Sequence, residues 1–148
     1  MKLSGIHHVS ILVTDMERSA TWYTQVLGLP EVVRPSNFRT PVRWFTLGEN
    51  QIHLIPSEAA DAISARHFAV HVDDCEAARE YFRERGVEII ETVAIAGADR
   101  FFIADPDGNN IEIIHFARAW DADSETELGV PEATGEQLAE RHRRELPV

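Results

Sequence analysis

The chain is poor in cysteine: Cys75 is the single one among 148 residues. No intrachain disulfide can form, and a thiolate metal cluster is excluded. No stretch approaches the ~18 apolar residues a membrane helix needs, and no charged-then-apolar leader precedes the first motif. The expectation is a cytosolic protein with no membrane partner. Positive charge is scarce too, with Lys and Arg numbering 14 against 25 Asp and Glu, a formal charge of −11. A surface this acidic repels phosphate backbones, so no nucleic-acid partner is expected. An anionic ligand would need a local positive feature, and a metal ion is one such feature. What is present is an ordinary globular composition, 44% hydrophobic and 26% charged, at a length that favours one domain.

The chain reads as one unit used twice. A shift of 59 residues carries His8 onto His67, Val13 onto Val72 and Asp15 onto Asp74. The same shift carries Trp22 and Tyr23 onto Tyr81 and Phe82, and Ile52, His53 and Ile55 onto Ile111, Glu112 and Ile114. Four segments on one register indicate an internal repeat. Each copy starts with an alternating strand (7–13, 67–72), and Asp15 and Asp74 sit where a helix N-cap belongs. Helices are expected to run to Leu27 and Arg85, stopped by Gly28 and Gly86. Hairpins follow, turning at "GEN" (48–50) and "DPDG" (105–108). The expected class is α+β: two βαβββ modules, about 5–57 and 65–116, forming facing mixed sheets around a central cavity within a domain 1–116. The acidic stretch from 117 to 148 reads as a tail, with Thr134 capping a short helix over 135–146 and Trp120 available to pin it to the body or to a partner subunit.

Strand alternation sorts the polar residues by face. Val9, Ile11 and Val13 share the helix-packing side, while His8, Ser10 and Leu12 share the other. Phe68, Val70 and Val72 pack, while His67, Ala69 and His71 look away. His7 has the packing-face parity and reads as a strand-end residue. His53 and Glu112 are repeat-equivalent, so pseudo-twofold symmetry sets them together. Four groups, His8, His53, His67 and Glu112, then converge. Three imidazoles and a carboxylate suit zinc, iron, nickel, cobalt or manganese rather than calcium or magnesium.

A plainer reading stands beside this one. A histidine on a strand is more often a hydrogen-bonded structural residue than a ligand. Glu112 is different, because an ionised carboxylate flanked by isoleucines is costly without a compensating charge. A cation or a buried arginine would supply it. His71 lies about 13 Å along the strand from His67, too far for the same ion, and reads as cavity lining. His115 has the opposite parity. Arg39, Arg43 and Arg100 are candidates for a substrate carboxylate or phosphate, with solvated surface positions as the plain alternative. Trp44 and Phe45 suit either the cavity wall or the core. Cys75 reads as a small residue opening a helix.

The segments "HHVSILVTDMERSATWYTQVLGLP", "RHFAVHVDD" and "DPDGNNIEIIH" resemble the vicinal oxygen chelate superfamily, over residues 5 to 116. That group includes glyoxalase I, bleomycin-resistance proteins and extradiol ring-cleaving dioxygenases. The resemblance implies paired βαβββ modules and one divalent transition metal ion, Zn or Fe foremost, held by His8, His53, His67 and Glu112. It also implies a small-molecule substrate bound through two adjacent oxygens, and a homodimer. The ion would act as a Lewis acid in glyoxalase-like lyase or isomerase chemistry, with Glu112 and His53 handling protons. His53 departs from glyoxalase I, where a glutamate stands, and that puts glyoxalase I activity itself in question. His8, His67 and Glu112 alone also resemble the iron triad of ring-cleaving dioxygenases. A third expectation is a drug-sequestering binding protein that needs no metal.

Overall fold

The computed structural model describes residues 1–117 apart from 38, 63, 94 and 96. The expected helix over 135–146 and the anchoring role of Trp120 lie outside the described residues. The described residues divide into two compact units: Met1–Ala62 together with Asp105–Asn109, and 64–104 together with 110–117.

In the first unit the Val- and Ile-rich alternation forms β1 (His8–Val13), which runs into α1 (Met16–Gln25). The Asp15 side chain accepts the Arg18 backbone N–H at 3.0 Å, satisfying one of the donors a helix start leaves open. β2 (Glu31–Val32), β3 (Arg43–Leu47) and β4 (Asn50–Pro56) follow. The sheet order is β1-β4-β3-β2, with β1 parallel to β4 and the other pairs antiparallel. The second unit repeats this with β5 (His67–His71), α2 (Cys75–Glu84), β6 (Ile90–Glu91), β7 (Ala98–Ala104) and β8 (Asn110–Phe116) in the order β5-β8-β7-β6. Two four-stranded mixed sheets, each carrying one helix, make the expected α+β, two-module architecture.

The repeat holds at the level of hydrogen-bond register. His8 pairs with Gln51 and Ser10 with His53; His67 pairs with Asn110 and Ala69 with Glu112. The shift of 59 therefore reproduces both strand pairs that carry the candidate ligands.

The helices stop earlier than expected, at Gln25 and Glu84 rather than Leu27 and Arg85. In α2 the Gly86 N–H bonds Arg83 O and the Val87 N–H bonds Phe82 O, both at 3.0 Å. With Gly86 at φ +70° this is a Schellman close that leaves Arg85 as the cap. In α1 the Val26 and Leu27 N–H groups both turn to Trp22 O, and Leu29 reaches Tyr23 O. This exit is one residue wider, so Leu27 already lies outside the helix.

Each sheet buries one face under its helix. Phe45, Ile52, Leu54, Val13 and Tyr23 form the first core, and Phe101, Ile103, Ile111, Ile113 and Phe82 the second. Burying each large apolar side chain contributes about 1.5–3 kcal/mol. Phe45 thus belongs to the core, and alternation puts its neighbour Trp44 on the opposite face with His53.

The turn Asp105–Asn109 is part of the first unit. Asp105 Oδ1 accepts the backbone N–H groups of Asp107 and Asn109, and its Oδ2 accepts from Asn109 Nδ2 at 2.8 Å and Tyr23 OH at 3.1 Å. Asp107 accepts from Thr14 Oγ1, Arg18 Nη2 and Ser19 Oγ.

Candidate metal centre

Within the first unit the parallel β1–β4 register places His8 and His53 on one face. Their rings stack at 4.1 Å between centroids and 15° between planes. Trp44, opposite His53 on β3, stacks on its other side at 4.4 Å and 7°. The His53 ring is buried in this sandwich. Its Nε2 lies 2.8 Å from Gln51 Oε1, an amide oxygen that can only accept, so the proton sits on Nε2. Burial, and then the neighbouring His8 and His7, hold the His53 pKa below the usual histidine range, which keeps the ring neutral. His8 Nδ1 meets His7 Nδ1 at 3.0 Å.

Within the second unit β5 and β8 bring His67 and Glu112 together, with Nε2 3.2 Å from Oε2. His67 Nδ1 lies 2.8 Å from the Ala65 carbonyl oxygen, so it carries the ring proton. In the neutral ring Nε2 then presents a lone pair to a carboxylate, which is also an acceptor. The contact is favourable only with a proton or a cation between the two. Two donors at about 2.0–2.1 Å from a tetrahedral zinc are ~3.3–3.4 Å apart, so the observed spacing is close to that of a shared ion. The Nδ1 bond to a carbonyl is the outer partner that metal-bound histidines ordinarily carry.

Glu112 is also met by Arg100, whose Nη1 donates to Oε1 at 2.9 Å. The pair is nearly closed to solvent, with side-chain exposures of 11% and 9%. The buried-arginine compensation is therefore present on one carboxylate oxygen, while the other faces His67.

Each unit thus gathers two of the four expected ligands. Among the described residues no group of three or more His, Cys, Asp or Glu side chains converges. The pair in the second unit suits a metal directly. In the first, the parallel stack sends the in-plane lone pairs of His8 and His53 side by side rather than toward one point.

The remaining candidates sort as follows. Arg43 is held on the helix side of its sheet, donating to both oxygens of Glu31 and to Glu17, so it serves the fold. Arg39 is exposed. His71 is exposed with its ring 5.9 Å from that of His115, whose Nδ1 is 2.9 Å from Val72 O. Cys75 opens α2 as expected, buried, with Sγ donating to Asp99 O at 3.2 Å and its pKa pushed up by burial. Sequence reasoning did not find Gln51 as the partner of His53. Its signal was available, since two residues apart on one strand share a face. Nor did it place Arg100 on Glu112.

Comparison with known proteins agrees with this architecture. The profile of the Glyoxalase/Bleomycin resistance protein/Dioxygenase superfamily matches residues 5–113. Glyoxylase I 4 of Arabidopsis thaliana is 25% identical over 124 residues, covering 76% of this chain and 71% of that protein. Glutathione transferase FosA of Serratia marcescens is 26% identical over 118 residues, covering 75% and 80%. Among solved structures, lactoylglutathione lyase from Agrobacterium tumefaciens superposes with a TM-score of 0.64 at 19% identity, covering 78% of this chain and 96% of that one, a likeness of fold. With a repeated βαβββ unit, ligand-type residues at equivalent strand positions and a family match across both modules, the chain belongs to the Glyoxalase/Bleomycin resistance protein/Dioxygenase superfamily.

Proposed function

We propose that this protein is a metal-dependent enzyme acting on a small substrate that binds through two adjacent oxygens, with glyoxalase-like lyase or isomerase chemistry. The observation that carries this reading is the His67–Glu112 pair, in which Nδ1 is held at the Ala65 carbonyl and Nε2 lies 3.2 Å from an oxygen of a buried carboxylate. His8, His67 and Glu112 are the proposed ligands of one divalent transition metal ion, Zn or Fe foremost, with His53 as the fourth. The ion, when bound, supplies a Lewis acid for developing negative charge on substrate oxygen. Glu112, paired with Arg100 through Oε1, alternates at Oε2 between ligand and proton acceptor. His53, kept neutral by burial, is the second proton-handling group. A homodimer and a cytosolic setting are part of the same proposal.

A second reading has its own support. His53 is tied to Gln51 and sandwiched between His8 and Trp44. If it stays there, His8, His67 and Glu112 form a two-histidine, one-carboxylate set, the pattern of non-haem Fe(II) oxygenases. Ring cleavage of a catechol would then be the reaction.

Metal analysis of protein purified without chelator tests the proposal, alongside His8→Ala and Glu112→Ala. Stoichiometric metal in the wild type and its loss from both variants is the expected result. Equally little metal in all three after reconstitution would end it. Turnover of catechols only with oxygen and ferrous iron would select the second reading.

A further inference from the structure

We infer that Arg100 is a positioning residue that fixes Glu112 as a one-oxygen ligand. This inference rests on the metal-binding reading above. Arg100 Nη1 donates to Glu112 Oε1, leaving Oε2 as the oxygen beside His67 Nε2. The guanidinium is itself held, with Nε donating to the Val93 carbonyl at 3.1 Å and the group lying 6.0 Å from the Phe102 ring centroid. The same Phe102 ring meets His67 edge-on at 5.1 Å and 90°. One aromatic side chain therefore supports both the arginine and the histidine. Phe102 sits opposite Glu112 in the β7–β8 ladder, as Trp44 sits opposite His53 in the first unit.

The two modules differ in a way that agrees with this role. Trp44 and Phe102 are 58 residues apart, and the same shift carries Val42 onto Arg100. Val42 is buried. The module whose second ligand position is a neutral imidazole has valine there, and the module whose second ligand position is a carboxylate has arginine. The arginine accompanies the charge. A buried carboxylate without a fixed partner would be free to turn either oxygen, or both, toward an incoming ion. With Oε1 claimed by a guanidinium that is anchored at two further points, only Oε2 is presented. Arg100 thereby does for Glu112 what the Ala65 carbonyl does for His67: each ligand is oriented by one outer partner.

The test is titration of metal-free, full-length protein with Co²⁺, followed by its visible absorption, for wild type, Arg100→Met and Arg100→Lys. Circular dichroism checks that each variant is folded. Arg100→Met is expected to weaken Co²⁺ binding by about 10–100-fold, the usual effect of losing an outer partner, and to change the band shape. Arg100→Lys, which keeps a cation near Oε1, is expected to lie between the two. Unchanged or tighter binding by Arg100→Met, or Arg100→Lys binding no better than Arg100→Met, would overturn the inference while leaving the metal reading intact. If Arg100→Met does not fold, a wild-type affinity and spectrum in Arg100→Lys overturns it instead. No Co²⁺ binding by wild type would overturn the metal reading, and the inference with it.

Discussion

His67 Nε2 and Glu112 Oε2 lie 3.2 Å apart because the parallel β5–β8 register sets Ala69 opposite Glu112, and His67 is the same-face neighbour of Ala69. Backbone pairing therefore makes the contact before any ion arrives. If His67 and Glu112 ligate an ion as proposed, a pair already in contact would do so at little ordering cost. His67→Ala is expected to lower metal affinity at least as much as His8→Ala, measured by Zn²⁺ competition against a chromophoric chelator.

Glu112 also has a structural task that can be measured without metal. Replacing it with glutamine leaves the Arg100 guanidinium, 11% exposed, facing a neutral amide. Removing one member of a buried ion pair typically costs 3–5 kcal/mol, because the other charge stays buried and uncompensated. Denaturant unfolding of metal-free Glu112→Gln is expected to show a loss of about 3 kcal/mol. A loss near zero would mean that Arg100 relaxes to solvent and that the pair contributes little to folding.

Asp107 anchors the turn between β7 and β8 to α1 within the first unit. Burial would raise its carboxyl pKa, but hydrogen bonds from Thr14, Arg18 and Ser19 outweigh burial and hold it below the usual range. A carboxyl whose folded pKa is depressed stabilises the fold above its unfolded value, about 3.9, and loses that contribution as pH falls through the folded value. Asp107→Asn is expected to destabilise by roughly 1–3 kcal/mol at neutral pH. The gap to wild type should close below about pH 4. Urea unfolding at pH 7 and pH 3 checks both parts, and a gap independent of pH would place the effect in shape rather than charge.

Tyr23 and Asp105 form a second anchor for the same turn, with the hydroxyl 3.1 Å from Oδ2 and both side chains buried. Burial foremost, with the Asp105 charge and hydrogen bond, pushes the phenol pKa well above the tyrosine range, so it remains a donor at any working pH. Tyr23→Phe keeps the ring in the core and removes only that donor. The expected cost is about 1–2 kcal/mol by thermal or chemical unfolding, since Asp105 keeps its three other hydrogen bonds.

These contacts show which parts of the molecule a sequence discloses. Alternation and the shift of 59 are local or periodic signals, and they expose the strands, the N-cap aspartates and the shared face of His8 and His53. The Arg100–Glu112 pair depends on how β7 registers against β8. Between the equivalent pairs Thr46–Gln51 and Ala104–Asn110 lie four residues in the first unit and five in the second. That difference moves the β3–β7 correspondence from 59 to 58, so repeat symmetry applied at 59 maps Arg100 onto Pro41 and predicts no partner for Glu112. The "DPDG" motif is legible as a turn because its residue types favour one. That its carboxylates are claimed by Thr14, Arg18, Ser19 and Tyr23 is a tertiary fact with no local signal.

His53 offers the sharpest division between the two functional readings. To ligate an ion through Nε2 it must give up the bond to Gln51 and lose its proton from that atom. Turning toward an ion would also separate it from Trp44, at a cost of about 0.5–1.5 kcal/mol for a stacked pair. These losses would make it the weakest of the four proposed ligands, and His53→Ala is expected to reduce metal affinity several-fold less than His67→Ala or Glu112→Ala. Trp44 reports the movement directly. If His53 enters the coordination sphere, Zn²⁺, which does not itself quench, changes the emission of wild type and leaves Trp44→Phe unaffected. If Zn²⁺ binds with no change in Trp44 emission, His53 has stayed in the stack, three ligands hold the ion, and the remaining coordination positions are open to two substrate oxygens or to oxygen itself.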